Sequence, residues 1–281
     1  MNSKTILCSF QVQLDGSCSL QLIIYSPFIF NGRWSRLQII NQRGKVTGSF
    51  WTSVIDFIFP PVCAGCGTAG SLACAPCQEK IIKLIEPLCQ RCGQLVIDAG
   101  LCKRCTKVPP TIDKIRSAVL YTDPVNKFVH AFKYYDQFAL AKPLAALMLD
   151  SLTELSPPSE NNQPNLLVPV PLHPVRERER GYNQSYLLAA ELSQMTGIPV
   201  LQHGLKRTRP TEVQAHLDLD ERTKNVTGAF EVGDSDFNGK SVYLIDDVCT
   251  TGATLFSAAD CLKTAGAQRV TGLTVARALK N

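Results

Sequence analysis

One stretch restricts the possible folds more than any other: Val242-Tyr243-Leu244-Ile245-Asp246-Asp247-Val248-Cys249-Thr250-Thr251-Gly252-Ala253-Thr254. Its first four residues suit a buried parallel strand. Two adjacent carboxylates end the apolar run. A turn rich in hydroxyls follows, and Leu255–Ala265 has the composition of a helix. Strand, acids, glycine turn and helix in that order predict an α/β protein with an anion site at the carboxyl end of a strand. The N–H groups at a helix start have no partner within the helix and bind phosphate. Gly252 allows close approach of the backbone. An ordinary N-cap would explain one polar residue here, but not two carboxylates, three threonines and a glycine.

Carboxylates do not bind the phosphate beside them. They accept hydrogen bonds from sugar hydroxyls or orient a hydrated magnesium ion, so the stretch fits a ligand carrying both ribose and phosphate. It resembles the phosphoribosyl pyrophosphate (PRPP) signature of type I phosphoribosyltransferases. That resemblance implies that Asp246 and Asp247 are catalytic residues holding the ribose hydroxyls. It also implies that Val248, Cys249, Thr250, Thr251, Gly252, Ala253 and Thr254 bind PRPP together with magnesium, Cys249–Thr254 wrapping the 5′-phosphate.

The second constraint is cysteine. Of twelve cysteines, eight form four Cys-x-x-Cys pairs: Cys63/Cys66, Cys74/Cys77, Cys89/Cys92 and Cys102/Cys105. No order of basic region, apolar core and cleavage site marks a signal peptide, so a reducing, cytoplasmic setting is expected and metal is favoured over disulfides. The apolar run Leu20–Phe30 is shorter than a membrane span and contains Pro27, so no membrane insertion is expected. Each Cys-x-x-Cys knuckle supplies two thiolates, and two knuckles make a tetrahedral zinc site. Intervening lengths of seven, eleven and nine residues favour sequential ribbons. Interleaved pairing, or one working zinc beside a degenerate site, stays open. A segment this short has too little core to fold without metal.

Residues 1–49 carry no motif and no sustained period. They read as a disordered or loosely packed extension, or as translation from too early a start. Phe50–Phe59 has a helical apolar stripe and stops at Pro60-Pro61. The expected domains are 1–49 unassigned, 50–110 a short helix plus double zinc ribbon, and 111–281 an α/β domain. Ile115–Tyr121 reads as a strand, Val125–Tyr135 and Leu140–Leu149 as helices, and Ser156–Asn165 as a loop. Leu166–Leu172 reads as a second buried strand and Gln268–Arg277 as the last. Between His173 and Gln184, arginines alternate with glutamates. This is either a solvated, salt-bridged helix start or a pyrophosphate loop built on Arg176, Arg180 and Gly181, and we favour the loop. Arg207 lies in a later basic segment, where phosphoribosyltransferases close a mobile loop over substrate.

The Cys-x-x-Cys pairs, then Phe132-Lys133-Tyr134-Tyr135, the segment 168–184, the segment 206–230 and the acidic stretch occur here in one order. Together they resemble the ComF competence family over residues 50–281. The resemblance implies a type I phosphoribosyltransferase-like, mostly parallel sheet flanked by helices, preceded by the zinc-ribbon module. It further implies handling of imported single-stranded DNA in natural transformation, beside helicase-like and recombination proteins. Tyr134, Tyr135 and Tyr182 are candidate stacking platforms for bases. A true phosphoribosyltransferase acting on an unknown acceptor, and a PRPP-sensing regulator, fit the same residues, so whether the chain is an enzyme stays open at this point. The net charge of +5 permits a polyanion partner without requiring one.

Overall fold

A computed structural model of the chain describes residues 6–14, 18–26, 60–155, 165–209 and 228–279. Within the stretch 1–49, which carries no expected element, β1 (Ile6–Leu14) and β2 (Cys18–Ser26) pair antiparallel, with Phe10 opposite Leu22 and Val12 opposite Leu20. The helix expected over Phe50–Phe59 lies outside the described residues.

The cysteine pairs build two ribbons on one plan. Cys63 N donates to Thr68 O at 2.8 Å, and Cys89 N to Gln94 O at 2.7 Å. The first knuckle of each ribbon turns through a glycine in the left-handed region, Gly67 at φ +81° and Gly93 at φ +66°, a conformation that costs any residue with a Cβ. The second knuckles open short helices, α1 (Ala75–Gln78) and α2 (Lys103–Lys107).

The rest is organised by four strands. β3 (Lys114–Leu120), β4 (Asn165–Pro169), β7 (Ser241–Cys249) and β8 (Arg269–Arg277) form a parallel sheet in the order β3-β8-β7-β4. The apolar residues of β7 serve both faces, as a central parallel strand requires. Tyr243 and Ile245 join one core, while Val242 and Leu244 join the other. The first face is covered by α3 (Val125–Tyr134), α4 (Ala141–Leu155) and α6 (Gln184–Thr196). The second is covered by α7 (Ala253–Thr264). A small antiparallel pair, β5 (Leu205–Arg207) and β6 (Phe230–Val232), stands apart from the main sheet.

Most expected elements stand within a few residues of their predicted bounds. The segment favoured as a loop after His173 is instead α5 (Pro174–Arg180). Local chemistry explains the difference. The His173 ring accepts from Val175 N, Pro174 sits at the first helical position, and Gly181 closes the helix at φ +80°. Proline at the start and glycine just past the end are helix signals. The loop expected over Ser156–Asn165 lies outside the described residues up to Asn165, which opens β4. No helix among the described residues is long and apolar enough to cross a membrane.

Candidate functional site

β7 does not stop at the acids. It runs through Cys249, with Asp246 in register with Thr274 of β8, so both carboxylates are held by the sheet itself. Asp246 Oδ1 accepts from Ser185 Oγ at 3.0 Å and from Asp247 N at 2.9 Å. Asp247 Oδ2 lies 2.8 Å from Lys133 Nζ, a pair in which Asp247 is almost wholly buried. Consecutive strand residues point apart, which gives the two neighbours different partners.

Their electrostatics differ accordingly. Burial, and then the adjacent Asp247 charge, push Asp246 up to about 7. Burial works against the Lys133 ammonium, but the Asp247 and Asp246 carboxylates outweigh it and raise its pKa. Burial lowers Arg207, against the opposing pull of Asp246, so these two charges feel each other.

Beyond Cys249 the chain turns at Gly252, φ +80°, into α7, whose cap position has no side-chain hydrogen bond. Thr251 Oγ1 accepts from Ala253 N at 3.2 Å. Asp246, Val248, Cys249, Thr250, Gly252, Ala253, Thr254 and Leu255 line one small concavity. A helix start beside a carboxylate suits a ligand that carries both phosphate and hydroxyls. A larger groove of about 410 Å³ between β6 and α7 shares no lining residue with this one, and its acids are Glu231 and Asp260 instead of Asp246.

Of the predicted site residues, Asp246, Val248, Cys249, Thr250, Gly252, Ala253 and Thr254 line this concavity, whereas Asp247, turned to Lys133, and Thr251 do not. Arg207 and Asp246 interact electrostatically. Cys249 is a packed residue whose Sγ accepts from Arg277 Nη1 at 2.9 Å, and burial raises its pKa. Arg176 is exposed and pairs with Glu179 at 3.8 Å. Arg180 donates to Gln184 Oε1 at 2.5 Å and lies 5.3 Å over the Tyr134 ring. Tyr182 is half-buried, its hydroxyl donating to Phe132 O, whereas Tyr134 and Tyr135 are exposed. The sequence reading missed the roles of Lys133 and Ser185. Lys133 lies in the Phe-Lys-Tyr-Tyr segment, but nothing in its spacing pointed to Asp247.

Cys63, Cys66, Cys74 and Cys77 form one cluster, and Cys89, Cys92, Cys102 and Cys105 another, with the ligand atoms of each within 4.8 Å of one another. This is the sequential arrangement. Thiolates at about 2.3 Å from a tetrahedral zinc stand roughly 3.8 Å apart. Cys66 and Cys74 Sγ are 3.5 Å apart, and Cys92 and Cys102 Sγ 3.7 Å. Each ribbon also directs a backbone N–H at a sulfur, Cys74 N to Cys63 Sγ at 3.4 Å and Cys102 N to Cys89 Sγ at 3.3 Å. Such bonds stabilise the thiolate form that zinc requires. The donor sets fit two structural zinc ions.

The double zinc ribbon domain family matches residues 54–106, and the phosphoribosyl transferase domain family matches residues 181–280. Competence protein F of Haemophilus influenzae is 33% identical over 208 residues, covering 73% of this chain and 90% of that protein. DNA utilization protein YhgH of Salmonella typhimurium is 31% identical, covering 70% of this chain and 86% of that protein. Competence protein ComFC of Bacillus subtilis is 28% identical, covering 73% and 83%. Among solved structures, a purine phosphoribosyltransferase from Pyrococcus horikoshii aligns with 49% of this chain and 82% of its own, at 15% identity and a TM-score of 0.28. With both ribbon and transferase segments matched, and a third of positions shared with Competence protein F across nine-tenths of its length, the chain belongs to the ComF family.

Proposed function

We propose that this chain binds PRPP with magnesium at Asp246, Asp247 and the loop Val248–Thr254, and acts on single-stranded DNA during natural transformation. The observation that carries the ligand reading is the sheet-held carboxylate pair leading directly, through the turn at Gly252, into the start of α7, with Asp246 and residues 248, 249, 250, 252, 253 and 254 lining one concavity. Asp246 and Asp247 orient the ribose hydroxyls, and the start of α7 takes the 5′-phosphate. Arg207 lends positive charge near Asp246. Arg180 and Gly181, at the end of α5, remain part of the proposed pyrophosphate face, with Arg176 more distant in role. Magnesium, when bound, would neutralise pyrophosphate charge.

The DNA reading is supported by the names of the relatives, which concern competence and DNA utilization. It is also supported by an aromatic rim at the end of α3: Tyr134 at 59% exposure, Tyr135 at 54% and Phe138 at 43%, with Arg180 over Tyr134. Exposed rings beside a cation suit unstacked bases. In this reading the activity lies in the cytoplasm, beside helicase-like and recombination proteins.

Phosphoribosyl transfer is a second reading, favoured by the intact acid pair with Arg207 in reach. In it, the bond from C1 of the ribose to pyrophosphate breaks as an acceptor attacks, and the two carboxylates hold the sugar through an oxocarbenium-like state. A PRPP-sensing regulator would use the same residues without turnover.

The test is titration of PRPP with magnesium into wild type and an Asp246→Asn/Asp247→Asn variant, with single-stranded DNA present and absent. Binding heat and released pyrophosphate are both followed. Binding without turnover, lost in the variant and altered by DNA, is the expected result. Multiple-turnover pyrophosphate release would make it a transferase. No binding to folded, zinc-loaded wild type would overturn the PRPP reading.

A further inference from the structure

The two ribbons are placed differently. In the first, Cys66 is exposed, and Gly65 abuts Pro124 and Phe128 at the start of α3. In the second, Cys89, Cys92 and Cys105 are buried and Cys102 half-buried, and the ribbon is bonded to the strand ends and loop of the candidate PRPP site. Arg104 stands between two cysteines of the cluster, on α2. Its Nη1 donates to Thr251 O at 2.5 Å, and its guanidinium lies 4.9 Å over the Phe256 ring in the first turn of α7. One side chain thus holds the peptide before Gly252 and the helix start that follows it.

A second tether runs the other way. Arg277, at the end of β8, is 3% exposed. Its Nη1 donates to Cys92 O at 2.7 Å and to Cys249 Sγ at 2.9 Å. Cys249 O in turn accepts from Ala278 N at 3.0 Å. Arg116 Nη1 donates to Cys89 O at 3.2 Å, and Ile115 N donates to Arg91 O at 2.7 Å. There is no room to slide at this seam: a Cβ on Gly93 would stand 2.5 Å from Ile115 O.

The ribbon's own apolar content is small. Its core is three buried cysteines with Val96, Cys102 and Phe256 packed against them. Without metal, such a segment has little to hold α2 in place, and Arg104 then loses its geometry. We propose that zinc at Cys89, Cys92, Cys102 and Cys105 and PRPP at the Thr250–Thr254 loop bind with positive linkage, Arg104 being the positioning residue that carries it. This rests on the PRPP reading above. Linkage is reciprocal: whatever factor the second zinc adds to PRPP affinity, PRPP adds to the affinity for that zinc.

The test uses the full chain loaded with zinc. PRPP with magnesium is titrated calorimetrically into wild type, Arg104→Met, Arg104→Lys and Lys103→Met, each first shown to hold the same zinc content. A charged hydrogen bond to a carbonyl is worth about a tenfold change, so Arg104→Met is expected to bind PRPP about tenfold more weakly. Arg104→Lys should recover part of the loss. Lys103→Met, which removes the same charge from an exposed position of α2, should stay within about twofold of wild type if position, not net charge, is what matters. In parallel, zinc is competed away at equilibrium by a zinc-selective chelator, with and without PRPP and magnesium. PRPP should move one of two zinc ions, and only one, to about tenfold higher chelator concentration in wild type but not in Arg104→Met. A merely structural Arg104 would not erase that shift. Wild type that binds PRPP yet shows no shift overturns the linkage and leaves the PRPP reading standing; wild type that binds no PRPP overturns both. Should Arg104→Met fold poorly, the competition on wild type decides alone.

Discussion

Replacing Asp246 with asparagine should stabilise the unliganded protein at alkaline pH and, on the proposed function, weaken binding of the ribose. The folded carboxyl sits at about 7 against an ordinary value of 3.8, with burial as the main cause and the Asp247 charge next. Between those two values the folded protein keeps a proton that the unfolded chain has released, so wild type loses stability as pH rises through the window. At roughly 1.36 kcal/mol per unit, the full cost of an ionised Asp246 above pH 7 is about 4 kcal/mol. Asparagine keeps an acceptor for Ser185 Oγ and Asp247 N but buries an amide NH₂, at a cost of about 1–3 kcal/mol. The net gain at pH 8.5 is therefore expected near 1–3 kcal/mol, or about 2–4 °C of melting temperature for each kcal/mol.

The pH dependence is the cleaner quantity, because the amide penalty cancels from it. By pH 5.5 a little over half of the cost has already been incurred, so the advantage of Asp246→Asn should grow by about 2 kcal/mol between pH 5.5 and 8.5. It should level off above pH 7. The assay is thermal melting of both proteins, saturated with zinc and free of ligand, at matched scan rates across that range. A difference that does not change with pH, or one that shrinks toward pH 8.5, would refute the reasoning.

Lys133→Met should cost about 3–5 kcal/mol by leaving the Asp247 carboxylate buried without its cation. Adding Asp247→Asn should restore most of the lost melting temperature, and failure of that rescue would show that the lysine matters through packing instead. Gly252→Ala should cost about 1–2 kcal/mol, since φ is +80° and the new Cβ meets Phe256 Cζ at 3.1 Å. If the helix start carries the 5′-phosphate, PRPP affinity should fall by more than that loss of stability explains, as read by calorimetry beside a melt.

What could be read in the sequence was local. The run Val242–Ile245 gave the strand, Gly252 the turn, and the knuckles of each ribbon are close enough in sequence that proximity alone favoured the sequential clusters that the structure forms. The helix Pro174–Arg180 was also legible, in Pro174 and Gly181, but alternating charge drew the reading toward a loop. The remainder depends on residues that meet only after folding. Arg104 reaches Thr251 across 147 positions, and Arg277 reaches Cys92 across 185. An arginine bonded to a backbone carbonyl leaves no pattern, because every residue offers that carbonyl. Lys133 is similar: on α3 it reads as one more polar residue of an amphipathic helix, and only the approach of α3 to the end of β7 makes it the partner of Asp247.

The unequal surroundings of the two acids have a consequence for ligand binding. Asp247 has Lys133 as its counter-ion. Asp246 has hydroxyl and backbone donors, and at neutral pH it sits near the midpoint of its titration. A ribose whose hydroxyls donate to Asp246, accompanied by magnesium, favours the ionised carboxylate. Binding should then pull Asp246 back toward the ordinary range and expel its proton. At pH 6.5 most chains begin with that proton, so PRPP with magnesium should release a large fraction of one proton per chain. At pH 8.5 almost none is left to release. Calorimetric titrations in buffers of different ionisation enthalpy measure this directly, as a slope of observed heat against buffer enthalpy that is steep at pH 6.5 and near zero at pH 8.5. Equal slopes at the two pH values would mean either that Asp246 is already ionised in the free protein or that the ribose does not engage it, and the melting curves of Asp246→Asn would tell these apart.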